Sequence, residues 1–106
     1  MIVLGCNDGQ VILLKNVNNF ERIEKLDVNR QRKSCIADIK FSPVNTGTKM
    51  IAAGSTDCAI DFLEVSADGK LSRIGYCKQV PGPVSVIDWS TSGSFIKVIF
   101  FNVFYV

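Results

Sequence analysis

Met50–Val65, MIAAGSTDCAIDFLEV, holds two short apolar runs around a tight polar turn. Met50–Ala53 and Ala59–Leu63 read as strands, with Gly54-Ser55-Thr56-Asp57 turning between them. The same plan appears upstream in IVLGCNDGQVILLK, Ile2–Lys15, where Gly5 and Asp8 stand 49 residues before Gly54 and Asp57. A second pair of markers, Ile39-Lys40-Phe41-Ser42 and Ile87-Asp88-Trp89-Ser90, recurs at an offset of 48. Two independent markers thus give nearly one period. A period of about 40–50 residues carrying four strands fits the blades of a β-propeller.

The rest of the chain agrees with an all-β reading. Asn7-Asp8-Gly9 and Asp68-Gly69 are strong hairpin turns, because Asn and Gly tolerate positive φ and Asp bonds its own backbone. Val11–Leu14 is the return strand of the first unit, and Asn16, Asn18 and Asn19 mark the turn after it. Phe20–Val28 fits a strand; a helix through Phe20–Leu26 also fits its three-residue apolar spacing, and the repeat favours the strand. Asn29–Ser34 is a polar, basic loop. Cys35–Phe41 places Ala37, Ile39 and Phe41 on one face, and Ser42-Pro43 ends it before the loop 44–49. Leu71–Val80 is the fourth strand of the second unit, closed by the rigid Pro81-Gly82-Pro83. Val84–Trp89 follows, with Val84, Val86 and Asp88 on one face and Ser85, Ile87 and Trp89 on the other. Thr91-Ser92-Gly93-Ser94 turns into the apolar Phe95–Val106.

The expected fold is therefore all-β, a partial propeller of about two and a fraction four-stranded antiparallel blades. Residues 1–34 would end a first blade and add a basic loop. Residues 35–80 would form a complete blade, and residues 81–106 would start a third with a divergent apolar tail. One blade cannot bury both faces of its sheet, so blades stack face to face. The glycines before the turns, Gly5 and Gly54, allow close approach, and Asp8 and Asp57 anchor turn amides.

Composition narrows the function. The chain has 106 residues, 47% hydrophobic, with a net charge of +2. That apolar content is too high for a disordered segment, and that charge balance points neither to nucleic acid nor to an acidic surface. Eleven apolar-rich residues, Ile96–Val106, fall short of the ~20 that a membrane helix needs, so no membrane partner is expected. Four cysteines, Cys6, Cys35, Cys58 and Cys77, form no CxxC pair, and no histidine is present to complete a zinc site. An even count permits two disulfides. With no signal peptide after Met1, reduced, mostly buried thiols are expected.

No catalytic constellation emerges. Without histidine, Ser-His-Asp and Cys-His arrangements are excluded, and no Gly-rich stretch has phosphate-loop spacing. Asp57 and Asp61 are near enough in sequence to invite acid–base chemistry, but Asp57 belongs to a repeated turn. Trp89 reads as blade-packing core. The expectation is no enzyme, no metal and no cofactor.

Asp57-Cys58-Ala59-Ile60-Asp61-Phe62-Leu63-Glu64-Val65 resembles the end of a WD repeat, with Leu63-Glu64 where Trp-Asp usually stands and no Gly-His at the repeat start. More narrowly, Ala53-Gly54-Ser55-Thr56-Asp57 with Ile60-Asp61-Phe62, then Ser72–Lys78, Val80-Pro81, Ile87-Asp88-Trp89-Ser90 and Ile96-Lys97-Val98, is similar to the echinoderm microtubule-associated protein-like family, nearest its long members of tandem propellers. The likeness covers about Met1 to Val98. It implies a cytoplasmic, cytoskeletal scaffold that recruits partners, tubulin among them. The family's N-terminal coiled coil and hydrophobic signature motif do not appear in this sequence. The tail after Val98 departs from the family pattern, so the chain is expected to be a fragment needing the remaining blades of a larger parent.

The candidate protein-binding residues are Arg30, Arg32 and Lys33, in a loop that would lie on one rim with the Asn7-Asp8 and Thr56-Asp57 turns and the Pro81–Pro83 connector. Loops on a rigid β scaffold commonly carry recognition. The competing functions are a general WD-type adaptor with a non-cytoskeletal protein partner and, less favoured by the residues, a piece of a propeller enzyme.

Overall fold

The computed structural model describes residues 1–43 and 48–101. Most of the expected loop at 44–49, with its Gly47, and the end of the apolar tail at 102–106 lie outside the described residues. Among the described residues, nine strands form three antiparallel sheets and none is helical. The first sheet orders β1 (Ile2–Gly5), β2 (Gln10–Val17) and β3 (Arg22–Arg30). The second orders β4 (Ile36–Phe41), β5 (Met50–Ser55), β6 (Ala59–Val65) and β7 (Leu71–Cys77). The third pairs β8 (Val84–Trp89) with β9 (Ile96–Phe100). This is the all-β, partial-propeller architecture that the repeat implies.

The middle sheet is covered on both sides. One core joins Val11, Leu13, Ile36, Ile51, Ala53, Leu63, Val65 and Leu71 from the first two sheets. The other joins Ala52, Ile60, Val84 and Ile87 from the second and third, with Phe62 and Trp89 at its margin. Alternate residues of β5 therefore serve different cores, and Ile51 to Ser55 are all buried. A strand flanked closely on both faces must be lined by small side chains, which explains Ala52, Ala53, Gly54 and Ser55. Gly54 allows the close approach. A methyl group built there would overlap Val84 Cγ1 and lie 2.6 Å from Ile87 Cδ1. Gly5 repeats the device one unit earlier, its missing methyl filled by Ile36, whose Cγ2 would lie 2.5 Å away.

Irregularities repeat with the same period. Ala37 on β4 and Ser85 on β8 are each unpaired, as are Leu26 on β3 and Ile74 on β7. A bulge shifts the alternation of faces by one. Hence Val84 and Ile87 share the buried face, whereas plain alternation separates them; this corrects the sequence expectation for β8. The bulge at Ala37 has the same effect, turning Ile36 and Ile39 toward one core while Ala37 is exposed.

Several boundaries also differ. β7 stops at Cys77 rather than Val80, before the proline-bounded connector. β5 continues through Gly54 and Ser55, which pair with Ile60 and Ala59, so the turn is shorter than expected. β3 runs to Arg30, so the basic segment begins on a strand. Its region is extended and not helical, because Arg22–Arg30 pairs along β2 on both sides of the bulge at Leu26.

Hydrogen bonds between side chains and backbone tie the sheets together. Asp27 Oδ2 accepts from Leu71 N at 2.7 Å, linking the first sheet to the second. Asp38 Oδ2 accepts from Ile87 N at 2.8 Å, and Lys40 O accepts from Trp89 Nε1 at 3.2 Å, linking the second to the third. Phe62 and Trp89 meet edge to face, with centroids 6.2 Å apart.

Two substitutions test this packing. Gly54→Ala should lower stability by about 1–3 kcal/mol, because Val84 and Ile87 must shift to admit the methyl; a urea titration reads the loss. Cys58 holds φ of +68° at the position that Gly9 occupies, with φ of +91°, one unit earlier. Cys58→Gly should therefore raise the urea midpoint, by about 1 kcal/mol in stability, since a left-handed backbone strains any side chain.

Candidate interaction surface

The connector between β3 and β4, residues 31–35, meets two turns. Arg30 Nε donates to Asp8 O at 2.9 Å, and Ile36 N donates to Cys6 O at 3.0 Å, docking it on the β1–β2 turn. Thr56 N donates to Cys35 O at 3.0 Å, docking it on the β5–β6 turn. A methyl group on Gly9 would collide with Arg32 O, so glycine is required there for contact as well as for its backbone. These three segments form one continuous rim.

The expected site residues take different positions on it. Asp8 Oδ1 accepts from Gln10 N at 3.2 Å, within its own turn. Asp57 accepts a short hydrogen bond from Ser55 Oγ. Gly5 and Gly54 lie in strands, not in turns, and serve the contacts between sheets. Arg30 and Lys33 are exposed.

Arg32 points inward instead. Its Nε donates to Asp61 Oδ2 at 2.9 Å and its Nη2 to Asp61 Oδ1 at 3.0 Å, a two-pronged, charge-assisted pair. Asp61 is only 3% exposed. Arg73 Nη1 adds a third hydrogen bond to Asp61 Oδ1 at 3.3 Å, and Asp57 Oδ2 stands 3.9 Å from Arg32 Nη1. The hydrogen bond to Asp61 holds the Arg32 guanidinium above its ordinary pKa, aided by the charges of Asp61 and Asp57 and opposed by burial. The arginine side chain is thus committed to joining the first sheet's connector to the middle of β6. Both oxygens of Asp61 are taken by guanidinium groups.

Beside this pair, three cations gather around one ring. Arg73 Cζ lies 4.5 Å from the centroid of Tyr76, Lys78 Nζ 5.3 Å and Arg32 Cζ 6.0 Å. The sequence reading passed over Asp61, Arg73 and Tyr76 as members of this group. One signal was present: Asp61 alternates with Ala59 and Leu63 on a core-facing side, where a charge requires a partner. Arg32 is 29 residues away in sequence, so nothing local names it.

Comparison with known proteins agrees with the geometry. No family model matches the chain. The crystal structure of Chaetomium thermophilum Sqt1 superposes with a TM-score of 0.74 and 19% identity, over 92% of this chain and 25% of that one. The fold is accordingly that of WD40 propeller blades. In sequence the chain is 30% identical over 97 residues to echinoderm microtubule-associated protein-like 3 from Homo sapiens, a match spanning 91% of this chain and 10% of that protein. The chain is thus similar to a propeller segment of the echinoderm microtubule-associated protein-like kind, and it spans about a tenth of that relative's length. No described helix is long and apolar enough to cross a membrane.

Removing one partner of the buried pair should be costly. Asp61→Asn leaves two guanidinium groups around a neutral amide and should lower stability by about 3 kcal/mol. The double change Arg32→Met with Asp61→Leu should recover much of that loss, and a double-mutant cycle in urea measures the coupling.

Proposed function

We propose that this chain is a non-catalytic scaffold segment that binds partner proteins through its propeller rim, in association with microtubules. The observation that carries the reading is the rim itself. Three connecting segments are locked to one another by backbone hydrogen bonds, and Arg30 and Lys33 stand exposed on the connector they share. A preformed polar surface of this kind loses little freedom on binding.

The microtubule component is supported by the name of its human relative, of which the chain covers 10%. On this reading the location is the cytoskeleton. Residues 1–34, 35–80 and 81–106 are then successive blade units of a longer ring, and the neighbouring blades belong to the same parent. Acidic surfaces, such as tubulin presents, are the natural counterpart of Arg30 and Lys33. Arg32 supports the rim from beneath, since its charge is already matched by Asp61.

Co-sedimentation with assembled microtubules tests this. The chain should pellet with them at low salt, and Arg30→Gln with Lys33→Gln should weaken binding several-fold. Raising salt from about 50 to about 300 mM should weaken the parent chain more than the double variant, because exposed charges are screened over roughly 8–10 Å. Equal pelleting of both chains at every salt concentration would remove Arg30 and Lys33 from the interface. No pelleting at all would leave an adaptor whose partner is not cytoskeletal.

A further inference from the structure

We propose that the outer edge of β7 from Arg73 to Cys77, together with Lys78 just beyond it, is a docking strip for an extended, carboxylate-rich peptide segment of a partner protein. This strip uses side chains other than Arg30 and Lys33 and does not depend on microtubule association.

The strand β7 pairs with β6 on one side only, and it ends the sheet. Leu71 N at its start is taken by Asp27. From Ser72 onward no described strand pairs with the other edge. Such an edge offers main-chain donors and acceptors to a chain in extended conformation. The side chains along it supply the selectivity. Tyr76 is 53% exposed, and Arg73 and Lys78 lie over its ring at 4.5 and 5.3 Å. Arg73 spends Nη1 on Asp61, and its Nε and Nη2 have no partner among the described residues. Lys78 has no carboxylate partner among them either.

Charge decides the occupant. Arg32, Arg73 and Lys78 are balanced within the cluster only by Asp61 and the more distant Asp57, so one positive charge is in excess. The ring holds the two exposed cations in place, which lowers the side-chain entropy lost when a carboxylate arrives. A guanidinium with two remaining donors suits a carboxylate geometrically. A nucleic-acid strand is the weaker fit, because Arg73 already covers the ring on which a base would stack.

A fluorescein-labelled peptide of about ten residues, alternating Glu and Val, is a suitable probe of the full chain by fluorescence anisotropy. Arg73→Gln with Lys78→Gln should weaken its binding about tenfold. Arg30→Gln with Lys33→Gln, which removes the same charge elsewhere, should change it less than about twofold. A peptide of equal charge with Pro in place of Val should bind as poorly to the parent chain as the original peptide does to the first variant, because proline cannot pair with a strand edge. Lys78→Gln alone, which touches only the Tyr76 ring, should weaken binding several-fold without moving the urea midpoint. Equal losses from both double variants, undiminished binding of the proline peptide, no effect of Lys78→Gln, or tighter binding of an oligouridylate than of the peptide would each overturn the proposal. Microtubule co-sedimentation of these same variants reports separately on the scaffold reading.

Discussion

The structure depends on a strand, β5, that has no solvent face. Once β5 is packed on both sides, the spacing between neighbouring sheets is set by what Ile51 to Ser55 can tolerate. Only small residues at alternate positions permit it. The large side chains come from the neighbours instead: Ile36 fills the space over Gly5, and Val84 and Ile87 fill the space over Gly54. Burying such aliphatic groups stabilises by about 1.5–3 kcal/mol each, so these contacts outweigh any single surface ion pair, such as Arg22 with Glu24, which contributes at most about 1 kcal/mol.

Electrostatics then supplies what hydrophobic contact does not, a fixed relation between the connector and the sheet beside it. Apolar packing is non-directional, whereas the Arg32–Asp61 pair has two hydrogen bonds in fixed directions. With no histidine in the chain, an arginine provides the buried cation of this rim. Its desolvation is offset by Asp61, by Asp57 nearby and by the Tyr76 ring 6.0 Å away. One of the three side chains expected to meet a partner is thereby internal, whereas Arg30, Lys33, Arg73 and Lys78 are exposed.

Much of this was legible because the determinants are local. Asp-Gly, Asn-Asp-Gly and Pro-Gly-Pro each constrain two or three residues, so the positions of the turns, and hence all nine strands, follow from short stretches of sequence. The period was legible because Gly5 and Gly54 answer the same steric demand. Bulges were not, because Ala37 and Ser85 are unremarkable residues whose extra position is forced by pairing with β5 and β9. For the same reason the faces of β8 could not be read by simple alternation. The Arg32–Asp61–Arg73 group was hidden by sequence distance, and only the charge placed among core-facing residues of β6 hinted at it. Cys58 in a left-handed turn ran against local preference, since its neighbours and not its own conformational energy hold it there.

The two filled glycine positions have a mechanical consequence. With no free space between Gly54 and the side chains of β8, or between Gly5 and Ile36, a sheet cannot slide against its neighbour without first separating from it. The loops at the rim therefore keep their mutual spacing under load, like teeth cut on one gear.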